Sequence, residues 1–337
     1  MKNIITKRNA SATQRGFNYQ TFAGLYLLID NMPHIKSINI EGKEDIEFEY
    51  EDGSKGFYQA KEIKDYSKAL SASVVKKALT TLLEDYLSCK NIEDLGIVTN
   101  SQIPIGKKLS KELFYPEYQV LYFNDLEKKA QKYLKSKLPK NQLDFNKLSI
   151  IKLSYYSANN KSKKIMLERV SDELFNEAQI SDKRDRIIDE WITLLLNITE
   201  EPNKTLTKEQ IVFHTQVISI GQPNFEDFFD NYNINYDQFE YIKSAYNEYL
   251  AYLEDDFEIK NRIISDYDVF CKKNYKDKSK TQLLNFVEDE SPKIAKNFMI
   301  NVNNNQKDVD IFKLIIFQVI ISRRKLESIE SVFGYES

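Results

Sequence analysis

An alternating run of apolar and acidic residues near position 50 constrains the fold of this chain more than any other feature. Ile46, Phe48 and Tyr50 alternate with acids, which is the period of a strand with one buried face. Asp52-Gly53 follows, a pair that favours a hairpin turn. A second strand-like segment covers residues 57–63. The sequence therefore predicts a β-hairpin.

This hairpin would bring three polar side chains together. Gln59 and Lys61 are two residues apart on the second strand, so they lie on the same face. Pairing with the first strand brings Asp45 alongside them. An aspartate, a second oxygen ligand and a lysine form a candidate site for a divalent cation and an attacking water, the chemistry of phosphodiester hydrolysis. A solvated hairpin with alternating charge explains the same spacing, so the surrounding sequence must decide.

The segments around the hairpin indicate an α/β core. Apolar residues recur at helical spacing between positions 22 and 29, and this helix should end before Pro33. Residues 74–87 are typical of a second amphipathic helix, and residues 95–100 of a short buried strand. The order of these elements predicts a mixed central sheet flanked by helices.

Four short motifs in this region resemble the restriction-endonuclease-like nucleases of the PD-(D/E)xK type. The motifs are Gly16-Phe17-x-Tyr19-Gln20, Glu41-x-x-Glu44-Asp45-Ile46, Gln59-x-Lys61 and Val98-Thr99-Asn100. Within that class they resemble the double-strand DNA endonuclease domain of CD-NTase-associated anti-phage effectors. They also resemble the LmuA-like nuclease subunit of Lamassu SMC-type defence systems. The resemblance covers roughly the first half of the chain and implies a restriction-endonuclease-like core.

The resemblance implies a role for each of four residues. Asp45 would be the central metal ligand, and Gln59 would coordinate through a neutral amide oxygen where many relatives have glutamate. Lys61 would orient or help deprotonate the water and stabilise charge on the phosphate. Gln20 would complete the metal shell or position the lysine. The implied reaction is hydrolysis assisted by one or two Mg²⁺ ions, for which Mn²⁺ can substitute.

The amide at position 59 leaves open which acid completes the metal site. One fewer negative charge should weaken Mg²⁺ binding, because Mg²⁺ favours hard anionic oxygen ligands. Glu41 or Glu47 could compensate, and the sequence does not choose between them. Glu47 is two residues from Asp45 and shares its face, but acids on such a strand are more often solvated than ligating.

The composition disfavours several other classes of enzyme. The chain has two cysteines (Cys89 and Cys271) and two histidines (His34 and His214), so a four-ligand zinc site would need several carboxylates. Phosphodiesterases that depend on paired histidines are disfavoured for the same reason. The chain contains neither of the common glycine-rich nucleotide-binding motifs. No apolar run approaches the length of a membrane span, so we expect a cytoplasmic protein that does not insert into a membrane.

Basic residues concentrate in one part of the chain. Residues 101–170 contain 15 basic and 6 acidic residues, whereas the whole chain has a net charge of -3. Lysines near a hydrolytic centre would bind the DNA backbone without reading its sequence. A solvated helix face explains the same lysines, but the nearby nuclease-like motif favours DNA. The predicted DNA-binding residues are Lys107, Lys108, Lys128, Lys132 and Lys135.

The sequence predicts two domains that meet near residue 200. Residues 1–200 would form the nuclease domain, and residues 201–337 a mainly α-helical domain for partner docking or oligomerisation. Its last helix is expected over residues 311–331, with apolar residues at 314–317 that suit a buried element better than a membrane span. A helical extension that only stabilises the first half is the alternative.

Two classes of function remain. The first is a Mg²⁺-dependent DNA endonuclease of anti-phage defence, kept inactive by a partner complex or by its oligomeric state. By resemblance, the partner would be an SMC-like ATPase with an accessory subunit, and cutting both strands of a duplex implies a homo-oligomer. The second is a catalytically inactive DNA-binding or scaffold subunit, which the amide of Gln59 keeps open. The sequence does not formally exclude RNA as the substrate.

Overall fold

The structure is a computed structural model, and it divides the chain into two compact units. It describes residues 2–42, 44–106, 118–139, 142–154, 160–200, 204–221, 223, 225–232, 236–253, 257–273, 280–298 and 306–335. The first unit comprises Met1–Leu174 and Ile188–Lys208, and the second comprises Phe175–Ile187 and Glu209–Ser337. The assignment of separate functions to the two halves of the chain stays a prediction.

The first unit is built on a mixed sheet of seven strands among the described residues, in the order β5-β6-β4-β3-β2-β1-β7. The neighbours β3–β4 and β4–β6 are parallel, and the other pairs are antiparallel. The strands are β1 Ile35–Ile40, β2 Ile46–Tyr50, β3 Lys55–Lys61, β4 Ile92–Thr99, β5 Tyr118–Tyr122, β6 Leu148–Leu153 and β7 Leu206–Thr207. The helices are α1 Lys2–Asn31, α2 Ala72–Ser88 and α3 Lys128–Lys135, followed by α4 Asn160–Glu177, which ends in the second unit, and α5 Arg184–Thr199, which begins there.

The predicted hairpin is confirmed as β2 and β3. Buried and partly exposed residues alternate along β2 as the sequence pattern requires. Gly53 lies in the turn with φ +77°, a left-handed conformation that favours glycine. Ile46 pairs with Tyr58, and Glu47 pairs with Phe57. This register continues toward Asp45 and Gln59, which therefore face the same side of the sheet.

Helices cover both faces of the sheet, as predicted. Helix α2 begins at an N-cap formed by Ser71 and buries Val75, Leu79 and Leu82 in a cluster that includes Phe57. Helix α1 lies on the opposite face, where the Tyr19 hydroxyl donates to the carbonyl of Leu153 at 3.4 Å. The parallel strands β3, β4 and β6 therefore form a core that is buried on both sides. Their carboxyl ends meet at one edge of the sheet, which is where α/β proteins place ligands.

The second unit contains only helices among its described residues. They are α6 Lys208–Ile220, which starts in the first unit, α7 Phe225–Tyr232, α8 Phe239–Leu253, α9 Ile259–Lys273, α10 Lys280–Phe298, α11 Gln306–Ile321 and α12 Arg323–Phe333. The prediction of one last helix is wrong, because the chain turns at Ser322. The turn allows Arg323 to bind Asp268 on α9 at 2.7 Å while Leu326 is buried. No helix within the described ranges is long and apolar enough to span a membrane.

Candidate active site

Asp45 and Lys61 form an ion pair at the carboxyl end of β3. Asp45 directly precedes β2, and Lys61 is the last residue of β3. The Lys61 Nζ atom lies 2.6 Å from Asp45 Oδ2, and the same oxygen accepts a hydrogen bond from the backbone N–H of Ala60 at 2.8 Å. The side chains remain 18% and 23% exposed, so solvent reaches the pair. In the described part of the chain both hydrogen bonds fall on Oδ2, which leaves Oδ1 as the oxygen that can ligate a cation.

Gln59 is held by a carboxyl group beside this pair. Its side chain is buried, and its Nε2 atom donates a hydrogen bond to the Glu44 carboxyl. An amide has one donating end and one accepting end. Because the nitrogen faces Glu44, the accepting atom Oε1 points away from that carboxyl. The contact thus sets the orientation that a metal-ligating amide needs.

Glu44 and Asp85 form a buried carboxyl pair that the sequence analysis missed. The two carboxyl groups are close enough to act on each other, and both side chains are buried. Burial, the neighbouring Asp85 carboxyl, and then the nearby acids Asp45 and Glu47, raise the pKa of Glu44 well above its ordinary value. A signal was available, because Asp85 lies on the same apolar helix face as Ala78.

Gln20 reaches the site through Glu41. The two side chains are close enough for Gln20 to lower the pKa of Glu41, so helix α1 lies near the turn between β1 and β2. Partial desolvation and the negative charge of Asp45 raise the pKa of Glu41, and the contacts with Gln20 and Lys61 oppose this rise. Glu41 has φ +59°, a conformation that is sparsely populated outside glycine and that recurs at functional sites. The structure therefore brings Gln20 and Glu41 together near Asp45 and Lys61.

Glu47 has a structural contact at the same turn. Its Oε1 atom accepts a hydrogen bond from the backbone N–H of Glu44 at 2.8 Å. A side chain at Gly42 would crowd this carboxylate, because an added Cβ would lie 3.0 Å from Glu47 Oε1. Glu47 shares the sheet face of Asp45, as predicted, but its carboxylate is bound to the backbone of the turn.

Thr99 and Asn100 fix the chain around Lys61. The Thr99 hydroxyl donates to the carbonyl of Lys61 at 2.7 Å. The Asn100 side chain accepts from the N–H of Ile63 at 2.8 Å and donates to its carbonyl at 2.9 Å. Both side chains are buried. The motif at 98–100 therefore holds the backbone that follows β3, and this arrangement restricts the position of the lysine.

The donor set at this site fits a magnesium ion. Among the described residues, no three His, Cys, Asp or Glu side chains converge on one point. The available donors are the Oδ1 atom of Asp45, the amide oxygen of Gln59 and the carboxylate of Glu41. All three are hard oxygen ligands, and Mg²⁺ binds few protein ligands because it retains several waters. The ligand roles of Asp45, Gln59, Glu41 and Glu47 stay predictions.

The predicted DNA-binding lysines are only partly described. Lys128, Lys132 and Lys135 lie exposed on α3, and the Lys135 ammonium is 5.2 Å from the ring centre of Phe123. Helix α3 follows the end of β5 that pairs with the amino-terminal part of β6, whereas Lys61 lies at the carboxyl end of β3. Lys107 and Lys108 lie outside the described residues. A DNA-binding role for these lysines stays a prediction.

A family comparison covers this region of the chain. The sequence model described as "Cap4, dsDNA endonuclease domain" matches residues 10–145, which include Gln20, Asp45, Gln59 and Lys61. Neither a curated protein nor a solved structure matches the chain. The resemblance to the Lamassu nuclease subunit stays a prediction. The predicted resemblance to the double-strand DNA endonuclease domain of CD-NTase-associated effectors is confirmed at residues 10–145, and this match supports a DNA endonuclease of anti-phage defence.

Proposed function

We propose that this chain is a Mg²⁺-dependent endonuclease that cuts double-stranded DNA in an anti-phage defence system. The observation that carries the proposal is the contact between Lys61 Nζ and Asp45 Oδ2 at 2.6 Å, with the Gln59 amide on the same sheet face. These residues lie inside the range that matches a double-strand DNA endonuclease domain. A lysine beside a ligating acid and an amide oxygen is the arrangement that metal-assisted hydrolysis requires.

Each residue has a distinct task in this proposal. Asp45 and Gln59 would hold the metal ion through side-chain oxygens, for which Oδ1 and Oε1 are the candidates. When bound, Mg²⁺ supplies positive charge at the scissile phosphate and makes water a better nucleophile. Lys61 donates to Asp45 Oδ2 and, with its remaining ammonium protons, orients the attacking water and stabilises charge on the phosphate.

Glu41 is the better candidate for a further metal ligand. Its carboxyl interacts electrostatically with both Asp45 and Lys61, whereas Glu47 binds the turn backbone. Gln20 would then act by positioning Glu41, whose pKa it lowers. This assignment gives the first helix a role at the site without direct contact between Gln20 and the metal.

Substrate binding and control complete the proposal. Lys128, Lys132 and Lys135, together with Lys107 and Lys108, would hold the DNA backbone. The enzyme would act as a homo-oligomer, because both strands must be cut. The helical second unit would dock a partner, for which an SMC-like ATPase with an accessory subunit is the candidate, and the enzyme would stay inactive until triggered.

One observation favours a second function. Gln59 is neutral and its amide is tied to Glu44, so the site contributes less negative charge to a metal ion than a pair of acids would. A catalytically inactive subunit that binds DNA or serves as a scaffold would retain the fold with such a site. Metal-dependent turnover distinguishes the two functions.

The test is cleavage of supercoiled plasmid by the full chain with Mg²⁺, with Mn²⁺ and with EDTA. Lys61→Ala should lose cleavage by at least about 100-fold while remaining folded, because it removes a donor from the reacting phosphate. Lys55→Ala is the matched control, since Lys55 is an exposed lysine at the other end of β3. Equal cleavage by the wild type and Lys61→Ala would place the chemistry elsewhere. Metal binding without cleavage in any form would favour the scaffold.

A further inference from the structure

Three polar side chains beside the Asp45–Lys61 pair are almost completely buried. Gln59 is 6% exposed, Glu44 is 7% exposed and Asp85 is 0% exposed. The Gln59 amide donates to Glu44, and the Glu44 carboxyl lies near the Asp85 carboxyl, which acts on it. The three groups therefore form a chain of contacts that runs from helix α2 to the face of β3. None of the predicted metal-site roles includes Glu44 or Asp85.

This chain of contacts determines which end of the Gln59 amide faces Glu44. The two ends of an amide have nearly the same shape, so hydrogen-bond partners decide its orientation. The oxygen of Glu44 that meets Gln59 accepts a hydrogen bond, and the amide nitrogen must therefore lie against it. Glu44 is in turn held by Asp85 and by the contact between its backbone N–H and Glu47 at 2.8 Å. A flipped amide would set two acceptor oxygens against each other.

We propose that Glu44 and Asp85 are a positioning pair that holds the Gln59 amide with Oε1 available to a divalent cation, and that this site requires an amide at position 59. This inference rests on the proposed metal site. A carboxylate at position 59 would stand against the Glu44–Asp85 pair as a third buried acid. Like charges in a buried site repel strongly, and the lost donor would leave Glu44 without the contact it now has. The neutral residue at position 59 is thus a requirement of its surroundings.

A double-mutant cycle at positions 44 and 59 tests this inference. Binding of Mn²⁺ to the full chain is measured by calorimetry without DNA, and thermal unfolding is measured with EDTA. Gln59→Glu should bind Mn²⁺ about tenfold to 100-fold more weakly, the range for losing an outer-shell partner, and should unfold at a lower temperature. Adding Glu44→Gln to that variant should recover most of both losses, because a glutamine at position 44 can donate to a glutamate at position 59. Glu49→Gln is the control, since Glu49 lies on β2 but pairs with Lys36.

A second comparison is needed in case Gln59→Glu does not fold. Glu44→Ala removes the acceptor and should weaken Mn²⁺ binding by about tenfold, whereas Glu44→Gln keeps an acceptor oxygen and should retain more of the affinity. Equal affinities for these two variants would overturn the proposal. Mn²⁺ binding by Gln59→Glu as tight as that of the wild type would also overturn it, because an added charge alone would then decide affinity.

The unfolding measurements separate this inference from the proposed function. If no form of the chain binds Mn²⁺ or cuts DNA, the proposed function fails. The cycle in EDTA would still show whether a carboxylate at position 59 conflicts with Glu44. If Glu44→Gln does not rescue the unfolding temperature of Gln59→Glu, the positioning pair is wrong even when the wild type cuts DNA. If it rescues unfolding but not Mn²⁺ binding, the pair is structural and the proposal is overturned.

Discussion

The two units of this chain both bury charged side chains, but they balance the charges differently. In the first unit, Asp45, Glu44 and Asp85 lie close together near Lys61. In the second unit, Lys260 is 1% exposed and its ammonium lies 2.8 Å from Glu330 Oε1. The first arrangement has more acids than bases and is open to solvent at Asp45 and Lys61, whereas the second pairs one base with one acid.

The difference indicates what each set of charges does. Glu330 also accepts a hydrogen bond from Gln216 at 3.2 Å, and Lys260 lies 5.1 Å from the ring centre of Phe213. A buried pair of this kind is complete without a ligand. An excess of acids is unfavourable by itself and becomes favourable when a cation binds. The charge balance therefore supports the proposed metal chemistry of the first unit and a structural role for the Lys260–Glu330 pair.

The largest expected effect is the loss of metal binding and cleavage in Asp45→Asn. The asparagine keeps an oxygen that can accept from Ala60 but removes the charge that is proposed to bind Mg²⁺. Metal binding and cleavage should therefore each fall by at least about 100-fold. The fold should remain, because one acid is removed from a region with several. Calorimetry with Mn²⁺ and plasmid cleavage measure the effect. Asp52→Asn, in the exposed hairpin turn, is the matched control. Equal loss in both variants would contradict a specific role for Asp45 in metal binding.

Lys260→Ala should instead destabilise the second unit. It leaves the partly exposed Glu330 carboxylate without its base, and breaking a fully buried pair lowers the free energy of unfolding by about 3–5 kcal/mol, which is the upper bound here. Denaturant unfolding measures this change. Replacing both partners, as Lys260→Met with Glu330→Gln, should recover a large part of the loss because no charge stays buried alone. A loss smaller than about 1 kcal/mol in Lys260→Ala, the size of an exposed pair, would contradict the structural role.

Much of the candidate site follows from local sequence patterns. Apolar alternation fixes the period of β2, and the Asp52-Gly53 turn fixes how it pairs with β3. These two facts are enough to place Gln59 and Lys61 on one face with Asp45. The family match at residues 10–145 includes the same residues.

The remaining features depend on contacts that local patterns do not encode. Asp85 meets Glu44 only because α2 packs on the face of the sheet that carries Gln59, and nothing in the spacing of the two acids indicates this. Strand β7 consists of Leu206–Thr207 and pairs with β1, although two residues are too few to show a strand period. The apolar helical pattern does not reveal the break at Ser322. The ion pair that follows the break joins Arg323 to Asp268 on another helix, and the local sequence does not encode that contact.

A smaller effect is expected from the exposed lysines of α3. If Lys128, Lys132 and Lys135 contact DNA phosphates, each change to alanine should reduce the slope of log affinity against log salt by about 1. Anisotropy of a labelled duplex, measured in EDTA over a salt series, gives this slope. Lys36→Ala is the control, because its ammonium is already 2.7 Å from Glu49. Unchanged slopes would show that the excess basic charge of this region is solvated.

The smallest effect concerns Asp94, a partly buried acid of the first unit. Burial raises the pKa of Asp94, opposed by a hydrogen bond from the Tyr50 hydroxyl at 3.0 Å and by the charge of Lys147, while Glu93 raises it further. A carboxyl with a raised pKa in the folded state stabilises the fold at low pH, and this contribution is lost as the pH rises above its ordinary value of 3.8. Asp94→Asn should therefore flatten the fall in unfolding temperature as the pH rises above 3.8, because asparagine has no proton to lose. An unchanged dependence of unfolding temperature on pH would show that the contacts of Asp94 offset the effect of its burial on its pKa.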